Sequence, residues 1–313
     1  MMHRLPQRHT FIKSFKDRAL TPRINDAGEM ITSLHNHFIK VVLLILLSIG
    51  LSFTSSTLAS TISPQNNTQL NKTQLNNAPL RIAVASNFAP LLKALLIPFE
   101  KNTQIQTQLI SGSTGTLYLQ IKHGAPFDIF IAGDSKRPAL LEQENLILQN
   151  SRNTYALGQL ALFSQDNLMT LDNLITLDNV KTTQQRFAIA NPDTAPYGKA
   201  AKETLQHLNL WSSFVPKLIT GINVNQTFTQ LRSKAVYSGL VANSLLVFHQ
   251  LKGVVIPSNF HQPIKQQLVI IKNSSHHKAA EKLSNYLLST DVQQKIIAHG
   301  YLSFTPLNEV HDD

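Results

Sequence analysis

Beyond residue 80 the chain alternates between short apolar runs and longer stretches in which apolar positions return at helical spacing. The runs LRIAVAS (80 to 86), TQLIS (107 to 111), FDIFIAG (127 to 133), FAIAN (187 to 191), VYSGLVA (236 to 242), GVVIP (253 to 257) and QLVIIK (267 to 272) predict strands, being rich in β-branched residues and bounded by turn formers. Between them the spacing predicts helices over Phe88 to Lys101, Thr116 to His123 and Gly198 to Leu208, with two more, Lys278 to Leu288 and Val292 to His299, closing the chain. This alternation implies an α/β architecture with largely parallel sheets. No internal repeat is visible.

The N-terminal part follows a different pattern. VVLLILLSIGLSF (41 to 53) is uninterruptedly apolar, follows Lys40, and precedes the small polar residues of TSSTLAS (54 to 60). A membrane-spanning helix needs about 20 apolar residues, whereas the core of a signal peptide needs roughly 7 to 15 followed by small residues, so a cleaved signal is expected. Cleavage is placed after Ala59, although Thr57 departs from the usual small residue at that spacing. A start at Met30 would give the leader ordinary proportions, and an uncleaved leader, anchoring the protein to the membrane, is the alternative. Residues 60 to 79, STISPQNNTQLNKTQLNNAP, have almost nothing to bury and read as a disordered tether.

With 313 residues, 42% of them hydrophobic and only 15% charged, the remainder is long and apolar enough for one or two globular units. The net charge of +10 divides into +4 in residues 1 to 60 and +6 in the rest. No basic run with interleaved aromatics accompanies it, so nucleic acid is not an expected partner. The absence of cysteine removes disulfides, thiolate metal sites, Cys nucleophiles and a lipid-anchored N-terminus. A Gram-negative periplasm is then the simplest container for an exported soluble protein.

Four strand-to-helix junctions carry the candidate chemistry: Ser86-Asn87, Gly112-Ser113-Thr114-Gly115, Ala195-Pro196-Tyr197-Gly198 and Asn223-Val224-Asn225. A helix N-terminus presents unpaired N–H groups and the positive end of the dipole, so it holds an anion without help from lysine or arginine. Converging, four such ends would form a cage of donors only, suited to a fully ionised dianion and poor for a protonated oxyanion, whose O–H needs an acceptor. Read singly, each Ser, Thr or Asn is equally a helix cap. The motifs of catalysis are missing: no G-x-S-x-G, no H-E-x-x-H, and no Lys to complete a phosphate loop at GSTGTL. His276-His277 reads as a solvated pair at a helix entrance, Asp128 and Asp134, on or just after one strand, do not read as a general acid/base pair, and Trp211 reads as a packing residue.

Five stretches resemble the periplasmic molybdate-binding proteins of ABC transporters: IAVASNF (82 to 88), SGSTGTLYLQIKHGAPFDIFIAGD (111 to 134), IANPDTAPYGKAAKETLQHLNLW (189 to 211), GINVNQTF (221 to 228) and IIAHGY (296 to 301). The resemblance implies a two-lobed periplasmic-binding-protein fold of type II, each lobe a mixed, largely parallel sheet flanked by helices, with two crossover connections. Lobe 1 would comprise 80 to 157 and 265 to 313, and lobe 2 would comprise 158 to 264. The implied ligand contacts are Ser86, Asn87, Ser113 and Thr114 from one lobe, with Tyr197 and the backbone of Val224 from the other. Some members place a Tyr hydroxyl where this chain has Ala242. Tyr197 would supply the missing hydroxyl, as in a branch that has Asn after the Ser. The implied role is capture of molybdate or tungstate and delivery to an ABC permease in the inner membrane by a monomer. No catalysis, cofactor or free metal cation is expected. Sulfate or another tetrahedral oxyanion, a secreted two-lobed enzyme and a membrane-anchored sensor are the competing readings.

Overall fold

The computed structural model describes residues 78–165 and 186–304. The apolar stretch at 41 to 53, the cleavage point at Ala59, the tether up to residue 77 and residues 305 to 313 lie outside the described residues.

The strands, in chain order, are β1 (Leu80–Ala85), β2 (Thr107–Gly112), β3 (Ile129–Ile131), β4 (Asn153–Gly158), β5 (Leu160–Ser164), β6 (Phe187–Ala190), β7 (Leu218–Gly221), β8 (Ser238–Ala242), β9 (Val254–Val255) and β10 (Ile264–Ile270). They form two five-stranded sheets, ordered β2-β1-β3-β10-β4 and β7-β6-β8-β5-β9. Both sheets use one plan. Three parallel strands are followed by a reversed one, β10 or β5, and then by an edge strand antiparallel to it, so four strands of each sheet run the same way. This is the mixed, largely parallel α/β arrangement that the sequence pattern predicts, in two lobes. The chain leaves the first sheet through Gly158 and enters the second at Leu160. It returns between Val255 and Ile264, and Ile264 pairs with Gly158, so the two crossings lie side by side.

The first sheet is covered on both faces, and its residues divide between the faces with period two. Ile82, Val84, Ile129, Ile131, Leu268 and Ile270 pack on one side; Ala83, Phe130, Ala132 and Val269 pack on the other. The first side is closed by helix α1 (Ala89–Thr103), which presents Leu91, Leu92, Leu95, Leu96 and Phe99, and by the C-terminal helices α8 (His277–Leu288) and α9 (Thr290–Ala298). The second side is closed by α2 (Thr114–Lys122) and α3 (Lys136–Gln143). Burial on both faces is why these strands read as continuous apolar runs rather than alternating ones. Each fully buried Leu or Phe contributes about 1.5–3 kcal/mol.

The second sheet shares one core with α4 (Pro196–His207), α5 (Trp211–Phe214), α6 (Val224–Arg232) and α7 (Asn243–Phe248). Trp211 packs at the margin of that core beneath the ammonium of Lys202, 5.2 Å from its ring centre. Helix α4 lies so close to the end of β6 that a Cβ on Gly198 would collide with the carbonyl oxygen of Ala190 and stand 2.6 Å from that of Asn191. Both obstacles are backbone, so Gly198→Ala is expected to lower stability by about 1–3 kcal/mol in urea denaturation. An unchanged midpoint would mean that α4 is free to lift off the strand.

Candidate functional site

Every parallel strand runs into a helix at its C-terminal end: β1 into α1, β2 into α2 and β3 into α3 in one lobe; β6 into α4, β7 into α6 and β8 into α7 in the other. In open α/β sheets this edge is where ligands are held. Among the described residues, the hydrogen bonds that join the two lobes near these ends include the following. The Gly115 N–H donates to the Thr194 carbonyl at 2.8 Å. The Arg137 guanidinium, paired with Asp134, donates from Nη2 to the Asp193 carbonyl at 2.7 Å. On β10, Gln266 Nε2 donates to the Tyr197 hydroxyl at 3.0 Å.

At the first junction neither Ser86 nor Asn87 caps a helix. Phe88 occupies the cap position with no side-chain cap, while the N–H groups of Ser86 and Phe88 donate to Gly112 and Ala85. Both residues are nevertheless buried. Both Asn87 amide hydrogens are engaged, one on Gln266 Oε1 at 2.9 Å and one on the Tyr301 hydroxyl at 3.2 Å, so what Asn87 has left to offer an anion is its backbone N–H. At the second junction Ser113 is the cap, accepting from the Thr116 N–H at 3.3 Å, and its hydroxyl lies 2.7 Å from that of Thr116. Thr114 Oγ1 accepts from the Gly133 N–H at 3.0 Å, which leaves its proton to donate. A Cβ on Gly133 would stand 3.1 Å from Thr114 Oγ1 and 3.2 Å from Asn87 Oδ1, so the ends of β1, β2 and β3 converge on one tightly packed spot.

In the other lobe, Tyr197 is the second residue of α4, behind Pro196 at a position where a missing N–H costs nothing. Its side chain is buried, and its hydroxyl reaches the strand crossing, where it would clash with any Cβ on Gly158. Asn223 caps α6 by accepting from the Gln226 N–H at 2.9 Å, and Gln226 Oε1 accepts in turn from the Ile222 N–H at 2.6 Å. This reciprocal capping fixes Val224 as the first helical residue, with its N–H among those lacking an intrahelical acceptor. Hydrogen bonds thus link Asn87, Gln266 and Tyr197 directly, with Ser86, Ser113 and Thr114 alongside. Val224 stands at the strand-end edge of the Tyr197 lobe, without a hydrogen bond to the other lobe among the described residues.

The remaining candidates sit elsewhere. Asp128 is buried and structural: it accepts from the Arg81 N–H and the Ser274 hydroxyl, both at 2.6 Å, and lies 3.1 Å from His276 Nδ1. His276 is therefore a buried carboxylate's partner rather than a solvated residue, and His277 Nε2 lies 3.0 Å from the Lys272 carbonyl. Among the described residues no cluster of three or more His, Asp or Glu is placed to hold a metal ion. Sequence reasoning missed Gln266, Tyr155 and the role of Tyr301; Gln266 stands between Lys265 and Gln267, ahead of the apolar run, so no local signal marked it.

A family model described as bacterial extracellular solute-binding protein matches residues 80–302. The molybdate-binding protein ModA of Azotobacter vinelandii is 35% identical over 229 residues, covering 72% of this chain and 90% of that protein. The molybdate-binding protein ModA of Rhodobacter capsulatus is 32% identical over 222 residues, covering 71% and 87%. The solved structure of the Azotobacter vinelandii periplasmic molybdate-binding protein superposes with a TM-score of 0.67 at 30% identity, covering 72% of this chain and all of that one.

None of the six candidate residues carries a charge, and burial pushes the phenols of Tyr155, Tyr197 and Tyr301 well above the usual tyrosine range. These phenols are hydrogen-bonding groups and not anions at neutral pH. Because they hold their protons in the folded state to higher pH than in the unfolded chain, the stability contribution is full below about pH 10 and is lost as pH rises beyond it. Phenolate absorbance should accordingly rise in two phases, the later one coinciding with loss of the native circular dichroism. Ionisation of every tyrosine in one step, with the fold intact, would contradict this account.

Proposed function

The chain belongs to the bacterial extracellular solute-binding proteins, and on that premise we propose that it captures molybdate between its two lobes and delivers it to the permease of an ABC importer. The observation that carries the reading is the relationship to molybdate-binding proteins over most of their own length. The local chemistry supports it. Ser86, Thr114 and Tyr197 offer hydroxyl protons, while Asn87 and Val224 offer backbone N–H groups, with Ser113 shaping the α2 entrance. Such uncharged donors in a low-dielectric setting stabilise a dianion without a counter-charge. Tungstate, of the same shape and charge, belongs to the same proposal.

The binding cycle follows from the two crossings. With residues 80 to 157 and 265 to 313 as one lobe and 158 to 264 as the other, each supplies part of the donor set, so the anion favours the closed arrangement. Capture and hand-over need no cofactor and no bond-making, and the protein acts as a monomer. The apolar stretch at 41 to 53 and the periplasmic setting named for the Azotobacter relative support export to the periplasm as part of this proposal.

Calorimetric titration of residues 60 to 313 with molybdate, tungstate and sulfate tests the reading. Molybdate and tungstate are expected to bind and sulfate to bind far more weakly; a preference for sulfate would overturn the assignment. Thr114→Ala and Ser86→Ala should each weaken molybdate binding by about 1.5–3 kcal/mol, the range for hydrogen bonds to a charged partner. Affinity should stay nearly flat between about pH 6 and 8, since no candidate residue titrates there.

A further inference from the structure

Gln266 has a side chain of a kind seldom buried, yet it is fully buried on β10, two residues after the strand returns from the second lobe. A buried amide must find partners for both its ends. Gln266 finds them in both lobes: Oε1 accepts from Asn87 Nδ2 at 2.9 Å and Nε2 donates to the Tyr197 hydroxyl at 3.0 Å, while the Tyr155 hydroxyl on β4 shares its one proton between Oε1 at 2.9 Å and the Ala132 carbonyl at 3.2 Å.

Along the branch from Tyr301 through Asn87 and Gln266 to Tyr197, the bond directions follow from one end. The Asn87 backbone carbonyl can only accept, so the Tyr301 hydroxyl, 3.1 Å away, donates to it. Having spent its proton, Tyr301 accepts from Asn87 Nδ2 at 3.2 Å. The second Nδ2 hydrogen then goes to Gln266 Oε1, which turns Gln266 Nε2 toward Tyr197. Tyr197 accepts there, and its own proton must point elsewhere. The buried Ser244 hydroxyl lies close enough to act on the phenols of both Tyr197 and Tyr301, lowering the pKa of each as a donor does, and as a hydroxyl it is also the acceptor that competes for the Tyr197 proton.

We infer that Gln266 is a positioning residue that never touches the anion: by occupying the lone pair of the Tyr197 hydroxyl it directs that O–H toward the bound oxyanion. The inference rests on the reading of Tyr197 as a ligand contact for molybdate. It also ties recognition to closure, because the bond that orients the donor spans from the crossing strand to the second lobe.

The test measures molybdate affinity of the full chain in four forms: wild type, Gln266→Met, Tyr197→Phe and the double variant. Gln266→Met is expected to weaken binding about ten- to a hundredfold, the effect of losing a hydrogen bond to a charged partner. In the Tyr197→Phe background the same change should cost less than about threefold, because the group it directs is gone. Equal losses in both backgrounds would overturn the inference, as would Tyr197→Phe binding as tightly as wild type. Gln266→Glu supplies a second readout. Ionised, it only accepts, so it draws the Tyr197 proton toward itself; protonated, it regains one donor and one acceptor, the pattern of the amide. Its affinity relative to wild type should therefore recover as pH falls, and a deficit constant with pH would count against the proposal. Failure of the wild-type chain to bind molybdate would instead sink the functional reading itself, separating the two outcomes.

Discussion

The antiparallel pairing of β4 with β10 is the constraint on which the architecture depends. It brings the 150s and the 260s of the chain together, with Ile264 opposite Gly158 and Lys265 opposite Leu157, at the point where both crossings pass between lobes. Without it the first sheet would lose its edge strand β4, and the second lobe would hang on two unrelated tethers. With it, the lobes share a narrow two-stranded joint whose immediate neighbours are Tyr155, Gly158, Gln266 and the Tyr197 hydroxyl. The joint is thus mechanical and chemical at once, because the polar atoms that hold it are also those nearest the proposed ligand contacts.

The second determinant is how the strands end. Parallel strands must be followed by helices, and three such helices start side by side in each lobe. Their first N–H groups lack intrahelical acceptors, so some must be met by other means. The structure meets several in place: Ser113 serves Thr116, Asn223 serves Gln226, and the Thr194 carbonyl serves Gly115. These bonds tighten the helix entrances and leave Thr114 and Tyr197 with hydroxyl protons to donate. The nearby Arg137–Asp134 pair is occupied internally and with the Asp193 carbonyl, so the charges present at the lobe contact serve to hold it.

Much of the fold was legible in the chain because both faces of its central strands are covered, which writes them as unbroken apolar runs. β1, β2, β3, β6, β8, β9 and β10 were anticipated within a few residues. β4, β5 and β7 were not: NTYALG and LITG mix polar and apolar positions without a clear period, and LALFS follows NTYALG with a single residue between, so no turn signal separates two strands that belong to different sheets. β10 begins three residues before the predicted QLVIIK, since Ile264, Lys265 and Gln266 gain their strand conformation from pairing with β4 rather than from their own pattern.

By itself, then, the sequence determined the α/β alternation, the family and the four strand-to-helix junctions, because periodicity, turn residues and local motifs are properties of neighbours along the chain. Whether Ser86 or Thr114 was a cap or something else could not be read locally, since either use needs the same side chain before a helix. Only the tertiary structure decided it, by showing Ser113 and Asn223 committed to capping and the others not. It alone joined Asn87, Gln266, Tyr197 and Tyr301, separated by up to 214 residues, into one directed series. The physical reason is that the sense of a hydrogen bond depends on what its partner has already donated, and that information exists only once distant segments are packed together.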